Sequence, residues 1–180
     1  MKIKKDAKQK RTRIGLFGFG KTGRLVAEEF FQDGLFDLEW VVRKTHKENH
    51  KYASRLLGYE VDDARVFSVD EANPDFYRLH PVDIIVDFSS AAAHRQYAPA
   101  ADFGIRIISA ISKYRTEDVE DLRRMAEKTA VLYSPNITLG INFLLVASQI
   151  LQGIAPHADI EIVEEHFRGK KGESGTALKI

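Results

Sequence analysis

Short apolar runs alternate with stretches of helical spacing from residue 13 to residue 134. Residues 13–18 (RIGLFG), 38–43 (LEWVVR), 65–69 (RVFSV), 82–88 (VDIIVDF), 105–111 (IRIISAI) and 130–134 (AVLYS) read as strands. Most of them are nearly continuous in their apolar residues, the pattern of a parallel sheet covered on both faces. Between them, residues 22–33 have helical spacing, with Leu25, Val26, Phe30 and Phe31 able to face a sheet. Residues 91–103 read as a helix with a proline inside it, and residues 116–129 as a helix with Thr116 at its N-cap and acids in its first turn. Residues 44–64 are polar and predict a loop with one helical turn. Such βα alternation predicts an α/β fold, a Rossmann-type doubly wound parallel sheet with helices on both faces.

After SPN at 134–136 the rhythm changes to an apolar helix at about 139–155, then Pro156 and a strand at 159–167. The expected organisation is a basic flexible extension (1–12), a dinucleotide-binding domain (13–136) and the beginning of a second α+β substrate and oligomerisation domain (137–180). Composition adds little to this picture and removes several alternatives. A net charge of +1 gives the molecule as a whole no pull toward nucleic acid or a membrane surface. The absence of cysteine excludes a disulfide framework, a thiol nucleophile and a Cys-ligated metal, and fits a reducing cytoplasm. The basic first residues lack the apolar core of a secretory signal. The apolar run NFLLVASQIL is too short to span a bilayer.

The chemistry starts at GFGKTG (18–23), which fits G-x-G-x-x-G with Gly18, Gly20 and Gly23 between the first strand and the first helix. Gly18 allows the tight turn, Gly20 lets a pyrophosphate approach the backbone, and Gly23 lets helix and strand pack closely. The helix N-terminus then offers N–H groups and partial positive charge to phosphates. An acid at the end of the second strand would grip a ribose 2′-hydroxyl; this chain has Arg43 and Lys44 there, which suit a 2′-phosphate. The expected cofactor is therefore NADPH, with NADH the alternative, since Glu48 in the next loop could reach back. His46 and His50 have i, i+4 spacing but no third ligand nearby, so no metal is expected. Asp83 and Asp87 read as turn and strand-end residues.

GFGKTGR, VDIIVDFSS, SPNITLGINFLL (134–145) and above all DIEIVEEHFRGKKGESGTAL (159–178) make the chain resemble the 4-hydroxy-tetrahydrodipicolinate reductase (dihydrodipicolinate reductase) family of lysine and diaminopimelate biosynthesis. The last segment is similar to the family signature E-x-H-H-x-x-K-x-D-A-P-S-G-T-A. The resemblance implies His166 as the acid–base residue and Lys170 as a substrate contact that assists protonation. It implies that Gly175 and Thr176 hold a substrate carboxylate, and the helix that starts at Ser174 adds its N–H groups. It places cofactor contacts at Phe17, Gly18, Phe19, Gly20, Lys21 and Thr22, at Arg43 and Lys44, at Ser109, Ala110 and Ile111, and at Ser134, Pro135, Asn136 and Ile137. A small-molecule dicarboxylate is the implied partner, and a homotetramer is implied where the second domain is complete.

Three departures fall on the nicotinamide and substrate regions. Phe167 stands at the second signature histidine, GE replaces D-A-P, and SAIS (109–112) replaces the family's G-T-T-G. The family's second domain also continues for several strands beyond the point that Ile180 reaches, so a fragment is expected. The function expected is NAD(P)H-dependent reduction of a cyclic unsaturated dicarboxylate. The alternatives are a related amino-acid dehydrogenase with another substrate, or a non-catalytic nucleotide-binding module.

Overall fold

A computed structural model of the protein describes residues 10–161 and 163. In chain order the elements are β1 (Thr12–Phe17), α1 (Lys21–Gln32), β2 (Phe36–Arg43), α2 (Ala53–Leu56), β3 (Arg65–Ser68), α3 (Pro74–Leu79), β4 (Ile84–Asp87), α4 (His94–Tyr97), β5 (Arg106–Ser109), α5 (Thr116–Ala126), β6 (Val131–Tyr133) and α6 (Leu139–Ile154). The six strands form one sheet, ordered β3-β2-β1-β4-β5-β6, and every pairing is parallel. The chain winds outward to β3 and returns past β1 to β4. The crossover point, where ligands bind in such sheets, therefore lies between the C-terminal ends of β1 and β4.

Alternation along the strands divides the core in two. Ile14, Leu16, Leu38, Val41, Val66 and Val86 pack against Ala27 and Phe31 of α1. Phe17, Trp40, Val42, Phe67, Ile85 and Ile107 pack against Phe76, Tyr97, Leu122 and Met125 of α3, α4 and α5. Trp40 organises the second face: its indole donates to the His80 carbonyl at 3.0 Å and meets Phe17 and Phe76 edge-on. A Cβ on Gly15 would lie 2.2 Å from the Trp40 ring, and the β1–β2 register shifts between Ile14 and Gly15 to seat it.

Several expectations need correction. The buried stripe of α1 is Gly23, Ala27 and Phe31, with Val26 and Phe30 partly buried beside it, whereas Leu25 is 60% exposed. Gly23 sits so close to the Gly18 carbonyl that the small residues must face the sheet, which turns Leu25 outward. Residues 91–103 are one short α-helix between two 3-10 segments. Pro99, which has no N–H to donate, lies in the second of these, and Gly104 closes it at φ 71°. Arg115, not Thr116, is the N-cap of α5, and the Asp118 carboxylate accepts its N–H at 3.1 Å. Arg11 is not a loose extension: its side chain is buried and pairs with Asp37 at 3.1 Å. Residues 159–161 are not in a strand, and most of the strand expected at 159–167 lies outside the described residues. Among the described residues no helix is long and apolar enough to cross a membrane. The 16-residue α6 buries none of its residues; Leu139, Phe143 and Ile154 are among those most exposed.

Candidate dinucleotide-binding cleft

The glycine turn connects β1 to α1 under tight constraints. Gly18 adopts φ 96°, and a Cβ there would lie 2.8 Å from the Phe88 carbonyl and the Ser89 nitrogen. Only glycine suits both that backbone and that approach. The turn is tied on both sides: the Gly18 N–H donates to the Val42 carbonyl at 2.8 Å, and the Phe88 N–H donates to the Phe17 carbonyl at 2.9 Å. A Cβ on Gly23 would stand 1.9 Å from the Gly18 oxygen. A Cβ on Gly20 would meet nothing within 4 Å, so the space above Gly20 is open. Gly20 is the N-cap of α1, and no side chain caps the helix there. Open space over a glycine at an uncapped helix start is a cradle for a pyrophosphate.

Two cavities meet over this turn. One, of about 540 Å³, is lined by Thr22, Ser89, Ala110, Ile111, Pro135 and Ile137, among others. The other, of about 260 Å³, is lined by Gly18, Phe19, Gly20, Arg43, Lys44 and Ser89, among others. They share Phe88, Ser89 and Ser90, and a slot of about 90 Å³ between Arg43 and Gln96 continues from them, with Phe17 in its wall. The cleft thus runs from Arg43 and Lys44 past the glycine turn to Ala110 and Ile111, and the residues present fit a dinucleotide.

Most of the expected cofactor residues line these walls, and a few stand behind them. Gly23 is buried beneath the turn. Lys21 is exposed at the helix start. Ser109 is fully buried and exchanges a hydrogen bond with the Tyr114 hydroxyl at 2.8 Å. The Ser134 N–H donates to the Ser109 carbonyl, and its hydroxyl reaches the Asn136 carbonyl at 3.2 Å. That carbonyl also accepts from Asn142 of α6 at 2.7 Å. His166, Phe167, Lys170, Ser174, Gly175 and Thr176 lie outside the described residues.

Sequence reasoning missed the polar chain under the cleft floor. Asp87, fully buried at the end of β4, accepts the Ser89 N–H at 2.8 Å, the Ser89 hydroxyl at 2.5 Å and the Tyr97 hydroxyl at 3.1 Å. The Tyr97 and Tyr114 hydroxyls lie 3.2 Å apart, and Ser109 follows. Burial pushes the Asp87 carboxyl above the ordinary carboxylate range, against the pull of these donors. Burial also raises both phenols, that of Tyr114 to about 12. The tyrosines therefore remain protonated donors, and the chain locks the loop after β4 to the end of β5. Asp83, at the other end of β4, accepts the Arg13 N–H at 2.8 Å and its guanidinium at 3.1 Å, which hold its carboxyl below the usual range.

Of the histidines considered for a metal, His46 pairs with Asp70 and His50 with Glu71, on separate acids. A different trio, His94, Asp118 and Asp121, places its ligand atoms within 4.8 Å of one another. Arg95 also binds Asp118 and Arg124 binds Asp121, so the trio forms part of an ion-pair tie between α4 and α5. The His94 contact, ahead of the opposing effect of burial and with help from Arg124, holds the Asp121 carboxyl below its usual range.

The sequence model of the family "Dihydrodipicolinate reductase, N-terminus" matches residues 12–137. The chain belongs to the dihydrodipicolinate reductase family. The 4-hydroxy-tetrahydrodipicolinate reductase of Archaeoglobus fulgidus is 30% identical over 165 residues, which is 89% of this chain and 60% of that protein. The enzyme of the same name from Buchnera aphidicola subsp. Acyrthosiphon pisum is 28% identical over 95% of this chain and 64% of its own length. The chain therefore spans less than two thirds of these curated relatives. Among solved structures, dipicolinate-bound dihydrodipicolinate reductase from Paenisporosarcina sp. TG-14 superposes with a TM-score of 0.70 at 18% identity, over 94% of this chain and 64% of that one. That likeness is one of fold.

Proposed function

We propose that this chain is the dinucleotide-binding part of an NAD(P)H-dependent reductase acting on a cyclic unsaturated dicarboxylate of the dihydrodipicolinate type, in lysine and diaminopimelate biosynthesis. The observation that carries the reading is the family match over residues 12–137 on a chain whose glycine turn opens into a cleft fit for a dinucleotide. NADPH is the preferred cofactor and NADH the second. Arg43 and Lys44 edge the ribose end of the cleft, and Arg24 stands behind them. Glu48 sets its carboxylate against two of these cations, Arg24 and Arg43.

The reduced nicotinamide supplies the hydride when bound. The protein's part is to bind, orient and protonate. Thr22, Ala110 and Ile111 wall the larger cavity where that ring would lie. His166 delivers the proton that balances the hydride, because an imidazole is both a donor and an acceptor near neutral pH. Lys170 and the helix start at Ser174, Gly175 and Thr176 take the substrate carboxylates. The second domain that carries them starts near residue 137. The setting is cytoplasmic, and the complete protein is a homotetramer.

Calorimetric titration of the chain should show saturable binding of NADPH, more weakly of NADH. In the whole reductase that carries this chain, NADPH should be consumed when freshly made dihydrodipicolinate is added. His166→Gln should lower kcat by about 100-fold or more while leaving NADPH affinity unchanged. Failure of the chain to bind either nicotinamide cofactor would overturn the reading.

A further inference from the structure

Arg43 does not face the ribose end of the cleft unopposed. Glu48, five residues on, forms an ion pair with its guanidinium, and the same carboxylate oxygen receives Arg24 at 3.4 Å. Arg24 in turn lies over the Phe19 ring at 4.4 Å and donates to the Leu56 carbonyl at 3.2 Å. The Arg43 and Glu48 side chains are only 19% and 17% exposed, so water screens the pair less than it would at the open surface. Glu48 reaches this position from a left-handed backbone, φ 67°, an uncommon conformation for a residue of its kind. Its turn is tied by the Asn49 N–H to the His46 carbonyl and by the Lys51 N–H to the Glu48 carbonyl, at 3.0 and 3.1 Å. A carboxylate held there from a costly backbone sits on the cation that a 2′-phosphate would need.

We propose that Glu48 is a specificity-determining residue: a built-in competitor for the cofactor's 2′-phosphate that narrows the preference for NADPH over NADH. The proposal rests on reading the cleft as a dinucleotide site. With NADH, Glu48 stays on Arg43, and its remaining lone pairs can accept from the ribose hydroxyls. With NADPH, the phosphate takes Arg43 and like-charge repulsion drives Glu48 away. The cation surplus from Arg24, Arg43 and Lys44 makes that exchange feasible, so both cofactors enter, and the carboxylate sets their ratio.

The test is to measure Kd for NADPH and NADH with the unaltered chain, Glu48→Gln, Arg43→Gln and the double variant. Glu48→Gln should tighten NADPH about tenfold and leave NADH equal or weaker, so the affinity ratio moves about tenfold or more. In the Arg43→Gln background the same change should alter the ratio less than about threefold, because the competed cation is gone. An unchanged ratio in Glu48→Gln with both cofactors bound overturns the proposal, as does an equal effect with and without Arg43. If the unaltered chain binds neither cofactor, it is the dinucleotide reading that fails. If Glu48→Gln does not fold, amide hydrogen exchange on the unaltered chain decides. NADPH, and not NADH, should speed exchange in residues 44–51, and identical patterns with the two cofactors refute the competition.

Discussion

Adding a single methyl group at Gly20 and at Gly23 should separate the two roles the glycine turn combines. In Gly23→Ala the new Cβ would start 1.9 Å from the Gly18 oxygen and 2.7 Å from its carbonyl carbon, both backbone atoms that cannot rotate away. A real Cβ is essentially never found within 3.0 Å of such an atom, so α1 must retreat from β1 by about 1.1 Å. Overpacking of this kind costs about 3 kcal/mol, since the clash is with main chain. Alanine's better helix propensity returns up to about 1 kcal/mol. The net loss of about 2 kcal/mol should lower Tm by roughly 4–8 °C for a domain of this size. Gly20→Ala meets nothing within 4 Å, and φ −82° with ψ −158° is open to alanine. It should cost less than about 1 kcal/mol, the small preference of an N-cap for glycine over alanine.

Binding should order the two variants differently. The methyl of Gly20→Ala projects into the open space where the pyrophosphate approaches, so NADPH affinity should fall at least about tenfold with Tm nearly unchanged. In Gly23→Ala affinity should fall together with Tm, because the helix N-terminus has moved away from the phosphates. Thermal melts without ligand, paired with calorimetric titration, read both quantities on the same samples. If Gly20→Ala bound NADPH like the unaltered chain, the phosphate would not approach over Gly20 and the placement of the cofactor would be wrong. If it melted as low as Gly23→Ala, the open space above it would not exist.

Tyr97→Phe removes the hydroxyl that reaches buried Asp87 and should cost about 2 kcal/mol in urea melts, since the carboxylate loses one of its donors. Tyr114→Phe, one step further along the chain, should cost about 1 kcal/mol. The Asp83 carboxyl is held low by Arg13, so its contribution to stability is fully present above the ordinary carboxylate range and is lost as pH falls through its depressed value. Asp83→Asn should therefore flatten the acid limb of a stability–pH profile taken from pH 7 down to about 3, and an unchanged slope would refute the pairing. On α1, Leu25→Ala should change stability by less than about 0.5 kcal/mol, while Ala27→Leu should cost about 1–3 kcal/mol, the reverse of what hydrophobicity suggests.

The sheet was legible because its signals are local and repeated. Doubly covered strands need apolar residues on both faces, and a glycine-rich turn sits where β1 must pass into α1. The phase of α1 was not legible, because Leu25 and Val26 outrank Gly23 and Ala27 on any hydrophobic scale. Here the closest approach is limited by volume: the Gly18 oxygen leaves room for a hydrogen and not for a methyl, and the rest of the helix rotates accordingly. Residues 91–103 failed for a related reason. An alanine-rich segment has helical propensity, but the residue order Tyr97-Ala98-Pro99 breaks the i to i−4 ladder partway.

The site divides along the same line. Glycines, Arg43 and Lys44 could be placed from the sequence because their positions follow from the strand–turn–helix unit that carries them. Glu48 could be named as able to reach back toward them, but the partners that hold it and the other charged groups could not. Arg24 and Glu48 are 24 residues apart, and His94 and Asp121 are 27 apart. Each pair meets only after the intervening strand has taken its place in the sheet. The Asp87 chain is the stronger case. Its carboxylate and two of its hydroxyls, those of Ser89 and Ser109, sit on or beside β4 and β5, at positions that in a strand pattern count only as interruptions of an apolar run, while Tyr97 ends α4 and Tyr114 precedes α5. A buried carboxylate among apolar strands is tolerable only where donors converge on it, and Asp87 has three. Such a residue in a buried strand end therefore implies a network around it, even where the sequence does not name the partners.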